Sequence, residues 1–218
     1  MSVRKLKVQG IFFDLDGTIV DSREAYYEAA KIAFQKMEQE MPKKELVLEI
    51  PRKLERKQSI KDVIKGDLHK FLSVYLNAYY SITTEKTKLL PNVSTTLETL
   101  STKAKLALVT MRAFPKENIM KELEAFEIAK YFTCVVTALD THKPKPSPEA
   151  LIKCAKALNV QICDCVIAGD STSDIRAGKA AGVKTVAVLS GLFSRRELAQ
   201  ENPDLIIKDI TALPKFID

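Results

Sequence analysis

No apolar run in this chain approaches the roughly 18–20 residues that a membrane helix needs, which excludes a spanning protein. Glycine and proline are few, 7 and 9, beside 46% hydrophobic and 28% charged residues, so collagen-like, low-complexity and largely disordered readings fall away. Histidine is scarcer still. His69 and His142 are the only two, and Cys134, Cys154, Cys163 and Cys165 do not stand at metal-type spacing with either, which argues against structural zinc. Reduced core thiols are the expected state. The basic start Met1–Lys7 runs into an apolar stretch broken by Asp14 and Asp16, unlike a signal peptide, so the expected compartment is the cytoplasm.

Charge of one sign is also lacking. Lys and Arg number 34 against 28 Asp and Glu, a net charge of +6 with both signs interspersed. That balance suits a small anionic substrate at least as well as a polynucleotide, and no nucleic-acid or membrane partner is expected. The densest basic stretch, Pro42–Lys70, carries nine Lys/Arg and five Asp/Glu, the pattern of solvated helix faces.

What is present is alternation. Val8–Phe13, Leu106–Thr110, Cys134–Ala138, Cys163–Ala168, Thr185–Leu189 and Leu205–Ile207 read as buried strands, and Pro148–Leu158 and Ser173–Ala181 as helices between them. Apolar strands alternating with amphipathic helices predict an α/β fold with a doubly wound parallel sheet, a Rossmann-like core. About ninety residues separate the first strand from the second, more than one crossover helix requires. Within them Tyr26, Ala30, Ala33, Met37 and Met41 share one helical face, and Ile60, Ile64, Leu68, Phe71, Tyr75 and Tyr79 share another. Ser59 followed by Asp62 reads as a helix start, while Leu46–Ile50 reads equally as helix or strand. The expected organisation is a core of residues 1–18 and 91–218 with an inserted helical cap over 19–90. The aromatic stripe reads as cap core.

Four apolar runs end in residues that carry chemistry. After Ile11-Phe12-Phe13 come Asp14 and Asp16, which an extended chain points to the same side, followed by Gly17. Paired carboxylates at a strand end can hold a hard cation or do acid–base work, and they can equally cap the next helix. Thr110 ends the second run and, with the backbone N–H groups after it, can hold a phosphate oxygen. The proline-stiffened loop His142-Lys143-Pro144-Lys145-Pro146-Ser147-Pro148 fixes a lysine in place before a helix that Pro148 suits. The fourth run delivers Gly169-Asp170-Ser171-Thr172-Ser173-Asp174.

In this order the four resemble the haloacid dehalogenase superfamily, and within it the phosphoglycolate-phosphatase-like branch with a helical cap. Asp14-x-Asp16-Gly17-Thr18, Lys143-Pro144-x-Pro146 and Gly169-Asp170-Ser171-x-x-Asp174 carry the resemblance, which spans the whole chain. It implies that Asp14 is a nucleophile and Asp16 a general acid–base, with Thr110 and the Met111 backbone binding the substrate phosphate. It makes Lys143, in the motif's register, the lysine that orients Asp14, with Lys145 as its competitor. Asp14, the main-chain carbonyl of Asp16, and Asp170 would hold Mg²⁺, and Asp174 would act through water or the lysine. Met111 departs from the Asn or Ser common in relatives, and Asn92 follows Pro91 where glycine is common. The activity so implied is a cytoplasmic, Mg²⁺-dependent phosphatase acting on a small phosphorylated metabolite through an aspartyl-phosphate. Its alternatives are a sugar phosphomutase of the same superfamily and, less favoured, a basic binding module without activity.

Overall fold

The computed structural model describes residues 5–218, so the first four residues of the basic start lie outside the described part. The chain divides into two compact units, one made of the residues up to Val20 with Leu89–Asp218, the other of Asp21–Lys88. The insertion read as 19–90 thus compares with a unit of 21–88.

The strands are β1 (Gly10–Phe13), β2 (Val20–Asp21), β3 (Lys88–Leu89), β4 (Lys105–Val109), β5 (Phe132–Val136), β6 (Cys165–Gly169), β7 (Lys184–Val188) and β8 (Leu205–Ile207). The helices are α1 (Arg23–Lys36), α2 (Lys44–Glu55), α3 (Leu68–Lys86), α4 (Val93–Ser101), α5 (Lys116–Ala125), α6 (Glu149–Leu158), α7 (Thr172–Ala181) and α8 (Arg195–Gln200). Six strands form a parallel sheet in the order β5-β4-β1-β6-β7-β8. β2 and β3 form a separate pair where the chain passes between the units.

The six expected strands are all present, and both sheet faces are buried for the reason the apolar runs suggested. Successive residues alternate between two cores. Ile11, Phe13, Leu106, Leu108, Val166 and Ala168 pack with Val93 and Leu97 of α4 and Ile119 and Leu123 of α5. Phe12, Ala107, Val109, Cys165 and Ile167 pack with Leu151, Cys154 and Leu158 of α6 and Ala177 of α7. The sheet winds outward in both directions from β1, so the carboxyl ends of β1, β4 and β6 meet at the reversal of strand order, where α/β sheets place their ligands.

The second unit has its own core. Ala25, Ala29 and Ala33 give α1 a narrow face, and Phe71, Tyr75 and Tyr79, four residues apart on α3, lie in the same cluster. Tyr26 stacks on Tyr79 with centroids 5.1 Å apart, and Phe34 meets Phe71 edge-on at 5.0 Å. The aromatic stripe is core. Three details differ from the sequence reading. α1 ends at Lys36, so Met37 and Met41 lie beyond it. The Leu46–Ile50 run is helical within α2, which continues through Pro51. The second stripe does not start at Ser59: that hydroxyl accepts the Lys61 N–H in a local turn, Gly66 takes φ +80°, and Asp67 caps α3 by accepting the Lys70 N–H.

Candidate active site

The strand ends build the site from four directions, all within the sheet unit. At β1 the Asp14 N–H donates to Ala168 O at 3.0 Å, which carries the β1–β6 pairing one residue further and fixes where the Asp14 side chain leaves the sheet. Gly17 follows at φ +83°, a conformation that a side chain disfavours, and a Cβ there would lie 2.7 Å from Asp170 Oδ2. The turn therefore needs glycine for both its backbone and the close approach of the acid.

At β4 the Thr110 N–H donates to Val136 O, and the Thr110 hydroxyl accepts the Arg112 N–H at 3.1 Å. Met111 is half-buried and has only its backbone N–H to offer an anion. At β6 the chain turns through Asp170 into α7, whose start is a reciprocal cap. Ser171 Oγ accepts the Asp174 N–H, and Asp174 Oδ2 accepts from Ser171 N and Oγ at 3.2 and 2.7 Å. The loop after β7 closes on the same place. Leu192 N–H donates to Asp170 Oδ2 at 3.2 Å, Ser190 Oγ donates to Gly17 O at 2.6 Å, and a Cβ on Gly191 would overlap the Asp170 carboxylate.

Lys145, from the loop before α6, stands at the centre. Its ammonium donates to Asp14 Oδ1 at 2.6 Å, Asp174 Oδ1 at 2.5 Å and Val109 O at 3.1 Å, and its side chain is 2% exposed. All three ammonium protons are thus placed. This corrects the lysine expected from the motif. Lys143 is exposed, and its part in the loop is a backbone N–H donated to Glu149 Oε2 beside that of His142 to Oε1. The sequence contains two overlapping Lys-Pro-x-Pro registers, and the loop length decides between them. α6 begins at Glu149 with Pro148 as its cap, so Lys145 is three residues before the cap and Lys143 five.

Asp14, Asp170 and Asp174 bring carboxylate oxygens within 4.8 Å of one another, all buried. Burial pushes the Asp14 carboxyl well above its usual range, and the charges of Asp174 and Asp16 push the same way while Lys145 opposes them. The two carboxylates around Lys145 hold its ammonium protonated, raising it against the effect of burial. Three clustered hard oxygen donors with one ammonium among them fit a divalent cation, which would relieve the crowding of negative charge. Asp174 has both oxygens committed, to Lys145 and to Ser171, so its geometry positions the lysine. Asp14, Asp170 and Asp174 together are the acids that could hold such a cation.

Asp16 is engaged differently. Its two oxygens accept from Arg112, Oδ2 from Nε at 2.8 Å and Oδ1 from Nη2 at 2.7 Å. Arg112 Nη1 in turn donates to Glu122 Oε2 on α5 at 2.5 Å, and both of these side chains are buried. The sequence reading missed Arg112 and Glu122. Their signal was present: an arginine two residues past a strand end, and an acid on the helix face that carries Ile119 and Leu123.

Known proteins resemble this chain in sequence and in fold. Residues 11–188 match the family of haloacid dehalogenase-like hydrolases. The chain is 30% identical to the phosphoglycolate phosphatase of Escherichia coli K12 over 231 residues, covering 94% of this chain and 91% of that one. A solved structure from Bacteroides fragilis assigned as a haloacid dehalogenase-like hydrolase is similar with a TM-score of 0.81 at 23% identity, covering 94% and 99% of the two chains. A Thermotoga maritima structure assigned as a β-phosphoglucomutase is similar with a TM-score of 0.71 at 23% identity over 94% and 96%. At such identities the two structures share the fold. Among the described residues no helix is long and apolar enough to cross a membrane.

Proposed function

The chain belongs to the haloacid dehalogenase-like hydrolase family, and within it we propose a Mg²⁺-dependent phosphatase that cleaves a small phosphomonoester through an aspartyl-phosphate on Asp14. The enzyme is a phosphoric monoester hydrolase. What supports the covalent route is one contact: a buried carboxylate at the end of β1, Asp14, held at one oxygen by the fixed ammonium of Lys145.

Asp14 attacks phosphorus in line as the bond to the leaving oxygen breaks, and Asp16 gives that oxygen a proton. Asp16 then takes a proton from the water that attacks the phosphorus of the aspartyl-phosphate, which frees Asp14 and inorganic phosphate. The Thr110 hydroxyl and the N–H groups after it bind the phosphoryl oxygens. Lys145, kept cationic by Asp14 and Asp174, neutralises charge as carboxylate and phosphate approach. Asp14, Asp170 and the Asp16 carbonyl would hold Mg²⁺, which when bound offsets the repulsion between the nucleophile and a dianionic phosphate.

The substrate class is a small phosphorylated metabolite, a phosphoglycolate-like acid or a sugar or nucleoside phosphate. The E. coli relative's name favours the first. The four free cysteines suit a reducing compartment, the cytoplasm. A phosphate-release assay over a panel of such esters with Mg²⁺ tests the reading. Release from at least one small ester, abolished by EDTA and restored by Mg²⁺, is expected. Full activity in EDTA removes the metal from the reaction, and isomerisation of a sugar phosphate without release turns the reading to a mutase.

A further inference from the structure

A general acid–base must present the same oxygen to the leaving group and then to water, yet Asp16 lies past the end of β1, beside a glycine and only partly buried. Arg112 takes both Asp16 carboxylate oxygens through Nε and Nη2 at 2.8 and 2.7 Å. This two-point fork sets the plane and the rotamer of Asp16 together, which a single hydrogen bond cannot do.

Arg112 is itself fixed. Its side chain is 2% exposed, its N–H donates to the Thr110 hydroxyl, and Nη1 is tied at 2.5 Å to Glu122, whose side chain is 1% exposed. Glu122 lies on the inner face of α5 between Ile119 and Leu123, a position that packing alone would give to an apolar residue. A buried carboxylate there is costly unless paired, and its pairing immobilises the guanidinium. The chain Glu122–Arg112–Asp16 thus runs from the rigid helix to the leaving-group side of the site. Each carboxylate oxygen in such a fork keeps a lone pair, which can carry the proton given to the leaving group and later take one from water.

We infer that Arg112, anchored by Glu122, is the positioning residue that presents Asp16 to the leaving group and to the attacking water. This rests on the reading of Asp16 as the general acid–base. It accounts for an arginine beside the phosphate loop whose guanidinium lies against two protein carboxylates.

The test uses leaving groups that differ in their need for an acid. A nitrophenolate departs without a proton, whereas an alkoxide needs one as its bond to phosphorus breaks. Single-turnover release of the leaving group is measured with Mg²⁺ for p-nitrophenyl phosphate and for ethyl phosphate. The variants are Arg112→Met combined with Glu122→Gln, which leaves no buried carboxylate unpaired, then Asp16→Asn, and all three substitutions together. If Arg112 acts through Asp16, the Arg112→Met/Glu122→Gln enzyme loses about a hundredfold on ethyl phosphate and less than about threefold on the nitrophenyl ester. The same loss is absent in the Asp16→Asn background, because the residue it acts through is already disabled. Arg112→Lys, which keeps the charge but makes one contact, shows the same selective loss at smaller size and serves if the other variant fails to fold.

Equal losses on both esters, or a loss that persists undiminished in Asp16→Asn, would make Arg112 a structural residue and overturn the inference. A faster rate on ethyl phosphate would mean that the fork restrains Asp16, and overturns it too. If Asp16→Asn itself fails to discriminate between the esters, the acid–base reading falls and the role of Arg112 falls with it.

Discussion

Lys143 and Lys145 are two residues apart in one proline-rich loop, and their surroundings separate them completely. Lys145 is the buried ammonium between Asp14 and Asp174, and Lys143 is exposed. Lys145→Ala should lower kcat by roughly a hundredfold to a thousandfold, the usual cost of one lost charge-stabilising donor. Lys143→Ala should stay within about twofold of the parent, since surface substitutions away from partners change little. Steady-state rates on p-nitrophenyl phosphate, taken on variants that still melt cooperatively, check this, and a larger loss at Lys143 would reverse the assignment. The acids of the site were legible because each follows an apolar run: Asp14 and Asp16 after β1, Asp170 and Asp174 after β6. The lysine was not, because two Lys-Pro-x-Pro registers overlap and only the start of α6 chooses between them. Arg112 escaped for another reason. Its partners Asp16 and Glu122 are 96 and 10 residues away, so an arginine past a strand end and an acid on α5 could each be seen without showing that the fold joins them. Asn92, by contrast, explains itself once seen: it precedes α4 at φ +60°, which asparagine tolerates better than most residues where glycine would be freest.

At the scale of elements, the sheet's outer strands are joined by side chains as well as by their ladder. Asp204, just before β8, accepts from Lys184 Nζ at 2.9 Å, Thr185 N at 2.9 Å and Thr185 Oγ1 at 3.0 Å, at the start of β7. Burial pushes its carboxyl upward, but Lys184 and the Thr185 hydrogen bonds outweigh that and hold it below the usual value. A carboxyl lowered by folding stabilises the fold above the ordinary carboxylate pKa and loses that contribution as pH falls through the folded value. Asp204→Asn should therefore cost about 1 kcal/mol in urea unfolding at pH 7. The gap to the parent should shrink once pH drops below about 4. A gap that widens in acid would show that the charge is not what matters. Elements were legible where a short apolar run or a helical period stood clear, as in the six strands of the sheet and in α6 and α7. They were obscured where neither did. The short Leu46–Ile50 run was ambiguous and lies in α2, which continues through Pro51, and Ser59 imitated a cap whose place Asp67 takes.

For the whole molecule, the matter is the division of labour between the two units. Asp14, Asp16, Thr110, Arg112, Lys145, Asp170 and Asp174 all belong to the sheet unit, and residues 21–88 supply none of them. A core with a short linker from Val20 to Leu89 should still hydrolyse p-nitrophenyl phosphate with Mg²⁺, while its ranking of phosphorylated metabolites should collapse. A soluble core that kept the parent's ranking would place recognition in the sheet unit. Beneath this lies the claim that Asp14 accepts the phosphoryl group, and it can be tested directly. Asp16→Asn enzyme, slowed in releasing phosphate, is mixed with p-nitrophenyl phosphate and Mg²⁺, quenched in acid, digested and analysed by mass spectrometry. The account predicts a phosphoryl group on the peptide that contains Asp14, removed by hydroxylamine and absent when Asp14 is also replaced by Asn. Stoichiometric nitrophenol release with no label on that peptide, or equal turnover by Asp14→Asn, would contradict it.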